Sequence, residues 1–354
     1  MSSPPRQRFA LIDALRGVAA TSVMLYHYGT GDLRAPLAAK LPALAMLLMK
    51  KGWIGVQIFF VLSGYVIANT VGLRRPDLAD AARFSLRRQV RLDPPYWVAM
   101  LVAVGVPWYL KLTLHDQRPV AMPRQVLAHL VYLQDILHFR PIQPVFWTLA
   151  IEVQLYMAFI VMLALLRRLP WAVSCVALVL SWAASLHAAV HWRFIGTGLF
   201  FVHWYLFALG AAVCWVRLKR FDARWVAPML GVCLYAAARI HRLEPLFGAL
   251  TAGVLLAAGR RDGLSRWLNW APLTFLGRVS YGIYLLHPMA GSITRWRLSA
   301  FFGHDTFWGA VAMFVNAFIW TLVASHFLHT YVEKPAMAWA GRITWYRGPR
   351  PERE

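Results

Sequence analysis

Charged residues are scarce in this sequence. Asp, Glu, Lys and Arg make up 15% of its 354 residues, whereas hydrophobic residues make up 59%. A soluble domain of this length could not bury so much apolar surface. The composition therefore excludes an ordinary soluble protein and indicates an integral membrane protein in contact with the lipid bilayer.

Cysteine is also scarce, with three residues in the chain. Cys175, Cys214 and Cys233 all fall inside apolar runs, and their spacing matches neither a metal site nor a disulfide framework. We interpret all three as packing residues. The sequence therefore predicts no metal site.

Acidic residues are the rarer charges, since 15 Asp and Glu stand against 37 Lys and Arg, for a net charge of +22. Such an excess can indicate a nucleic-acid-binding protein, but these basic residues lie at the ends of apolar runs rather than in one patch interleaved with aromatic residues. Membrane topology accounts for them better, because Lys and Arg are enriched in cytoplasmic loops. We therefore expect no nucleic-acid partner.

The apolar runs are long and helical in character, which favours a helix bundle over an outer-membrane barrel. At about 20 residues for each span, the sequence predicts ten transmembrane helices at 10–29, 52–71, 92–112, 145–166, 171–189, 195–216, 225–239, 246–259, 272–294 and 306–330. Most basic residues fall on one side of such a bundle, which predicts that both termini are cytoplasmic.

No internal repeat and no low-complexity linker interrupts these runs. The sequence therefore predicts one membrane domain over residues 1–335, followed by a short basic cytoplasmic tail over residues 336–354. A polar segment between the third and fourth spans, residues 115–144, is amphipathic in its middle, and we expect it to lie on the outer face.

The first apolar run contains three ionisable residues, Asp13, Arg16 and His27, which are costly to keep in hydrocarbon. On an α-helix, Arg16 and His27 point within about 20° of each other and lie about 16 Å apart along the axis. Asp13 precedes Arg16 by one turn and can pair with it. The three residues are either a buried ion pair with a core histidine or part of a functional site.

Three arginines, Arg87, Arg88 and Arg91, stand just before the third predicted span. Their guanidinium groups suit a polyanion such as the phosphates of a nucleotide, because each can bind phosphate oxygens bidentately. The alternative is ordinary anchoring of a span by basic residues on the cytoplasmic side. Spacing alone does not distinguish these two interpretations.

Glu152 lies inside the fourth predicted span, with Tyr156 one turn further on. A buried carboxylate of this kind either pairs with a cation, for which Arg16 and Arg91 are candidates, or handles protons or substrate. We favour a functional role.

Two other places combine polar or small residues with an apolar span. Ser63 and Gly64, in the middle of the second span, allow close approach of a ligand or of a neighbouring helix. His287 stands before Pro288 near the outer end of the ninth span, where it either caps the helix end or contacts substrate.

Together these residues resemble the membrane-bound acyltransferase 3 family, whose best-known members O-acetylate bacterial surface glycans. The resemblance extends over essentially the whole chain, and its specificity lies in the joint order of several stretches. These are LIDALRGVAA with ten residues between its arginine and a following histidine, GVQIFFVLSG, RRQVRLDPPYW, WTLAIEVQLY, LGRVSYGIYLLHP and EKP.

The resemblance implies an all-α bundle of about ten transmembrane helices in a bacterial cytoplasmic (inner) membrane. It also implies transfer of an acyl group from cytoplasmic acyl-coenzyme A to a hydroxyl of a saccharide acceptor such as exopolysaccharide or lipopolysaccharide. The acyl group is usually acetyl, and the donor is then acetyl-CoA. The residues that match family motifs are Arg16 with His27, Arg88 with Arg91, and Ser63 with Gly64.

On this hypothesis Arg87, Arg88 and Arg91 hold the phosphates of coenzyme A. His27 takes the proton of the attacking hydroxyl, because the unperturbed pKa of histidine lies near 6.5.

Three further residues are predicted to assist the same step. Glu152 or Asp13 orients an imidazole or an arginine, and Arg16 stabilises negative charge on the thioester oxygen. The predicted substrate contacts are Ser63, Gly64, Tyr156 and His287.

Two other classes of protein fit the same residues. A proton-coupled transporter could use the ionisable groups of the spans as a proton pathway, although the sequence has no visible internal repeat and no paired interrupted spans. A structural membrane subunit that recruits a cytoplasmic enzyme through its basic loops predicts that His27 is dispensable.

Overall fold

Every regular element in the described part of the chain is helical, which confirms the predicted all-α class. The structure is a computed structural model that describes residues 9–31, 33–114, 120–191, 198–260, 262–302 and 306–348. Its α-helices are α1 Ala10–Thr30, α2 Arg34–Ala38, α3 Ala43–Lys51, α4 Gly55–Val71, α5 Leu78–Leu114, α6 Pro123–Leu130, α7 Phe146–Leu165, α8 Trp171–His191, α9 Phe201–Arg217, α10 Ala223–Ile240, α11 Leu243–Arg260, α12 Gly263–Arg266, α13 Ala271–Phe302, α14 Phe307–Leu328 and α15 Lys334–Arg342.

The long helices overlap the predicted apolar runs, and together they make a multi-pass membrane protein. Within the described residues, six helical segments are long and apolar enough to cross a membrane. They are Ala43–Val71, Leu78–Thr113, Phe146–Leu165, Trp171–His191, Leu243–Arg260 and Phe307–Arg342. The full number of ten spans stays a prediction.

Helix α5 begins well before the start predicted for the third span at residue 92. Its first turn is closed by a reciprocal cap, in which the Asp80 amide donates to Asp77 Oδ1 at 2.7 Å and the Asp77 amide donates to Asp80 Oδ2 at 3.2 Å. Pro94 and Pro95 lie inside the helix without ending it. The arginines predicted at the mouth of a span therefore lie along one continuous helix.

Close backbone contacts hold the central helices of the bundle together. A Cβ atom on Gly277 of α13 would lie 2.0 Å from the Asp13 carbonyl oxygen of α1. A Cβ atom on Gly64 of α4 would lie 1.9 Å from the Phe207 carbonyl oxygen of α9. In a bilayer, an apolar side chain is as well accommodated by lipid as by a neighbouring helix. Membrane helices therefore associate through close packing at small residues such as these glycines.

The polar segment between α5 and α7 folds onto α5. The Tyr132 hydroxyl donates to Asp93 Oδ1 at 2.7 Å, the Tyr96 hydroxyl donates to the His129 carbonyl at 3.0 Å, and the two tyrosine rings stack with their centroids 5.0 Å apart. Residues 115–119 of the predicted outer segment lie outside the described residues. The remainder packs on the bundle rather than extending away from it.

His129 makes this segment sensitive to pH. Its buried ring donates from Nδ1 to the Gln125 carbonyl at 2.8 Å, and Nε2 accepts from the Ile142 amide at 3.1 Å, so the imidazole is neutral. Burial lowers the pKa of His129 below its ordinary value, although the Gln125 carbonyl and Asp135 act in the opposite direction. In the unfolded segment His129 binds a proton near pH 6.5, whereas in the folded segment it does not. The stability of the folded segment is therefore full above about pH 6.5 and is lost as the pH falls below that value.

We therefore expect hydrogen exchange at the Ile142 amide, corrected for its intrinsic pH dependence, to accelerate as the pH falls from 7.5 to 5.5. A His129→Gln variant, which cannot titrate, should show no such acceleration. Replacement of His138, which is exposed in the same segment, should leave the acceleration intact. A pH response unchanged in His129→Gln would contradict the assignment.

After α14 the chain continues as helix, and the residues that follow the helix pack on the early part of α5. A π-helical turn, His329–Glu333, leads into α15, and the strap, residues 343–348, follows. The Ile343 carbonyl accepts from Arg87 Nη1 at 3.1 Å, and the Trp345 carbonyl accepts from Arg83 Nε at 3.4 Å. Part of the segment predicted as a basic tail is therefore packed on the bundle.

Candidate active site

Several helix ends meet at one face of the bundle, which we call the amino-terminal face. The start of α1 at Phe9, the end of α4 at Asn69, the early part of α5 at Phe84 and the end of α9 at Arg217 line a single pocket there. The opposite face is formed by the other ends of these helices.

A cavity of about 90 Å³ lies in the middle of the bundle, and we call it the central cavity. It is lined from α1, α4, α5, α7 and α13. The predicted site residues in its wall are Arg16, Ser63, Arg88, Arg91 and Glu152. The structure therefore brings together five residues that are spread over more than a hundred positions of sequence.

Positive charge exceeds negative charge in this wall. Glu152 Oε1 accepts a hydrogen bond from Ser63 Oγ at 3.0 Å and lies 3.7 Å from Arg88 Nη2. The Nε atoms of Arg16, Arg88 and Arg91 are buried and have no hydrogen-bond partner in the described part of the chain. Among the lining residues that are described, three guanidinium groups thus share one carboxylate. A buried charge needs a partner, and an anionic ligand would provide it.

The other predicted residues near the cavity flank it without lining it. Tyr156 is fully buried one turn after Glu152, with the Arg88 guanidinium 5.5 Å from its ring centre, and its hydroxyl donates to Gln89 Oε1. Asp13 lies one turn before Arg16. Gly64 faces α9 and acts there as a close-packing residue.

The two predicted histidines form a pair beyond the central cavity. The ring centres of His27 and His287 are 5.2 Å apart, and His287 is fully buried while His27 is half-buried. His287 Nδ1 is 2.9 Å from the Ile283 carbonyl oxygen, which can only accept, so Nδ1 carries the hydrogen. Its Nε2 is then a buried acceptor without a hydrogen-bond partner in the described residues.

Tyr284 separates this histidine pair from the central cavity. It lines the cavity, its hydroxyl is hydrogen-bonded to Thr148 Oγ1 at 2.7 Å, and its ring centre lies 6.1 Å from that of His287, one turn further along α13. Arg16 and His27 therefore share α1 but lie in neighbouring compartments.

A larger pocket of about 570 Å³ opens at the amino-terminal face, and we call it the basic vestibule. Arginines from the loop after α4, from α5 and from α9 line it: Arg74, Arg87, Arg88, Arg91 and Arg217. No carboxylate stands among the described residues of its lining. Arg88 and Arg91 line both the vestibule and the central cavity, so the two spaces adjoin at these side chains.

A third space lies at the opposite face and has a volume of about 470 Å³. Its polar lining comes from Gln57, His203, Arg242 and Glu244. The His203 ring lies 5.2 Å from Phe60, which lines the central cavity. The three spaces thus follow one another from one face of the bundle to the other.

Sequence reasoning did not select two residues of this region. Tyr281 lines the central cavity and donates from its hydroxyl to the Leu92 carbonyl at 2.9 Å. Glu333, in the π-helical turn, accepts from His329 Nδ1 at 2.7 Å and interacts electrostatically with Arg91. The EKP stretch is visible in the sequence, but the sequence pattern does not predict that its glutamate lies near Arg91, some 240 positions earlier. A π-helical turn at this point is typical of functional sites.

Comparison with known proteins gives one consistent family. The profile of the acyltransferase domain family matches residues 9–329. The inferred membrane-bound transacylase BcsY of Komagataeibacter xylinus is 28% identical over 312 residues, which covers 80% of this chain and 73% of that protein. No solved structure matches the chain at a significant level.

Two O-acetyltransferases are also similar. The inferred peptidoglycan O-acetyltransferase YrhL of Bacillus subtilis is 25% identical over 369 residues, covering 92% of this chain and 54% of YrhL. The O-acetyltransferase OatA of Staphylococcus aureus is 29% identical over 171 residues, covering 44% of this chain and 25% of OatA. The chain thus spans about half the length of YrhL and a quarter of that of OatA.

Proposed function

Because the chain belongs to the acyltransferase family, we propose that it moves an acyl group from acyl-coenzyme A at the amino-terminal face to a saccharide hydroxyl at the opposite face. The observation that supports this best is the junction of the basic vestibule with the central cavity at Arg88 and Arg91. We propose further that the amino-terminal face is the cytoplasmic face of a bacterial inner membrane, since its arginines follow the distribution expected there.

The donor enters through the basic vestibule. Arg87, Arg88 and Arg91 bind the phosphates of coenzyme A, because guanidinium groups pair bidentately with phosphate oxygens. The thioester end passes between Arg88 and Arg91 into the central cavity, whose volume of about 90 Å³ suits a short acyl group such as acetyl better than a long chain.

The reaction is a direct transfer. The acceptor oxygen attacks the thioester carbonyl, the new carbon–oxygen bond forms, the carbon–sulfur bond breaks, and the thiolate leaves as coenzyme A. His27 takes the proton from the acceptor hydroxyl, and Arg16 stabilises the negative charge on the carbonyl oxygen. The two substrates meet near Tyr284, which stands between the cavity that holds Arg16 and the histidine pair.

The remaining residues position these groups. Glu152, held by Ser63, orients the Arg88 guanidinium, and His287 packs against His27 and fixes its ring. Asp13 lies near the amino-terminal end of α1 and contributes to the charge balance around Arg16. A proton-coupled transporter is not favoured, because the family and the relatives are acyltransferases.

The proposal is tested by transfer of radiolabelled acetyl from acetyl-coenzyme A to glycan in membranes that contain the protein. We expect Arg91→Ala to lower transfer about 10- to 100-fold, because a hydrogen bond between charged groups contributes about 1.5–3 kcal/mol. The matched control is Arg260→Ala, which removes an exposed arginine at the end of α11 and should transfer at the wild-type rate.

Two results would contradict this proposal. Wild-type transfer by Arg91→Ala at matched abundance would remove that arginine from donor binding. Absence of transfer by the wild-type protein from any acyl-coenzyme A would overturn the proposed donor itself.

A further inference from the structure

The wall of the basic vestibule includes a part of the chain that the family match does not reach. Met337, Ala340 and Gly341 of α15 and Trp345 of the strap line the vestibule, whereas the match ends at residue 329. The residues that the family profile matches therefore account for only part of this pocket.

The strap is fixed to the same helix that carries the arginine cluster. Asp80 is buried, pairs with Arg83 and accepts from the Arg347 amide at 3.3 Å. Trp345 packs edge-on against Phe84, with ring centres 5.1 Å apart. These contacts hold the Trp345 ring in the wall of the vestibule.

One cationic side chain lies over the aromatic rings of the strap. The Arg74 guanidinium is 5.6 Å from the Trp345 ring centre and 5.9 Å from that of Tyr346. Guanidinium and indole groups are both planar, and each can stack on a nucleic-acid base. Arg74 is held there by its Nη1, which donates to the Val71 carbonyl at 3.1 Å.

The charge of the vestibule exceeds what a diphosphate needs. Coenzyme A carries a 3′-phosphate in addition to its diphosphate, for a total charge of about −4 at neutral pH. Arg88 and Arg91 also line the central cavity, and with Arg87 they suffice for the diphosphate, which leaves Arg74 and Arg217 of the vestibule lining. Arg217 Nε is buried and has no hydrogen-bond partner within the described ranges.

From these observations, and resting on the proposed function, we propose that the strap and Arg74 bind the adenosine 3′,5′-bisphosphate end of coenzyme A. The base stacks at Trp345 and Arg74, and the 3′-phosphate pairs with Arg74 and Arg217. The strap is then a specificity element that distinguishes coenzyme A from carriers that present the same thioester without a nucleotide.

The test is direct binding to the purified full-length protein in lipid nanodiscs. The probes are coenzyme A, 3′-dephospho-coenzyme A and adenosine 3′,5′-bisphosphate, each titrated calorimetrically. We expect the wild-type protein to bind coenzyme A at least about 10-fold more tightly than its dephospho form, since a charged hydrogen bond is removed. We expect adenosine 3′,5′-bisphosphate to compete with coenzyme A.

Two variants probe the strap separately. Trp345→Ala should weaken coenzyme A binding about 10-fold, as expected for loss of one stacked base, and Trp345→Phe should restore most of it. Arg74→Ala should reduce the preference for coenzyme A over its dephospho form. The matched control is Trp339→Ala, since Trp339 is 56% exposed on α15 and does not line the vestibule.

The outcomes separate this inference from the function on which it rests. If the wild-type protein binds coenzyme A and transfers acetyl while Trp345→Ala and Arg74→Ala bind all three probes with unchanged affinity, the strap assignment is overturned alone. If the wild-type protein binds none of the probes, both the donor and the strap assignment fail. Loss of folding in Trp345→Ala is recognised by thermal denaturation, and Arg74→Ala then provides the decisive measurement.

Discussion

Replacement of His27 by alanine is expected to lower acyl transfer at least 100-fold, because a positioned general base contributes about 10²- to 10⁴-fold to such a reaction. The His27 ring is half-buried beside His287, and His287 lies one turn beyond Tyr284, which lines the central cavity. The measurement is the rate of acetyl transfer to glycan at saturating acetyl-coenzyme A, with matched protein abundance.

The control for His27→Ala is His326→Ala. His326 lies on α14 and is exposed, so its loss should leave transfer at the wild-type rate. Coenzyme A binding should survive in His27→Ala, because the vestibule is remote from the histidine pair. Transfer that continues in His27→Ala would exclude this residue as the base and would favour the structural-subunit interpretation.

The second large effect concerns stability. Even the methyl group of Gly277→Ala is expected to prevent normal packing of α13 on α1, because its Cβ would lie 2.0 Å from the Asp13 carbonyl oxygen and 2.4 Å from the carbonyl carbon. The atoms in the way are backbone, so no side chain can move aside. Overpacking of this kind costs about 3 kcal/mol or more, a large part of a total stability of about 5–15 kcal/mol.

The measurement is the amount of folded protein in detergent and its midpoint of thermal denaturation. Gly253→Ala is the matched control, because Gly253 lies on α11 and a Cβ there meets nothing within 4 Å. Alanine should stabilise α11 slightly at that position. A Gly277→Ala protein with the wild-type midpoint would show that α1 and α13 are able to separate.

The sequence predicts the helices well because hydrophobic runs are a local signal. The start of α5 is the clear exception, since the polar residues after Asp77 do not resemble a membrane span. They are helical because of the reciprocal Asp77–Asp80 cap and because the strap covers one side of that helix. A span-length criterion counts apolar residues and therefore misses a helix that extends beyond the membrane.

The central cavity is predicted in part. Arg16 and His27 lie on one helix, as the sequence predicts. Tyr284 of α13 nevertheless lies between the central cavity, which Arg16 lines, and the histidine pair. Arg16 and Arg91 are the cations that the sequence suggests for Glu152, whereas the ion pair forms with Arg88 at 3.7 Å. Periodicity gives the direction of a side chain within one helix, but the rotation of one helix against another depends on packing.

The glycine contacts around α1 have a mechanical consequence. A Cβ on Gly52 would lie 2.0 Å from the Ser22 carbonyl oxygen and one on Gly55 would lie 2.3 Å from that of Ala19, so α1 is fixed to the start of α4 as firmly as to α13 through Gly277. Alternating access in transporters requires two halves of the protein that move against each other at an interface. The close backbone contacts of α1 make neither its interface with α4 nor its interface with α13 suitable for such movement. The proposed transfer of an acyl group between molecules that arrive at the two faces requires no such movement of α1.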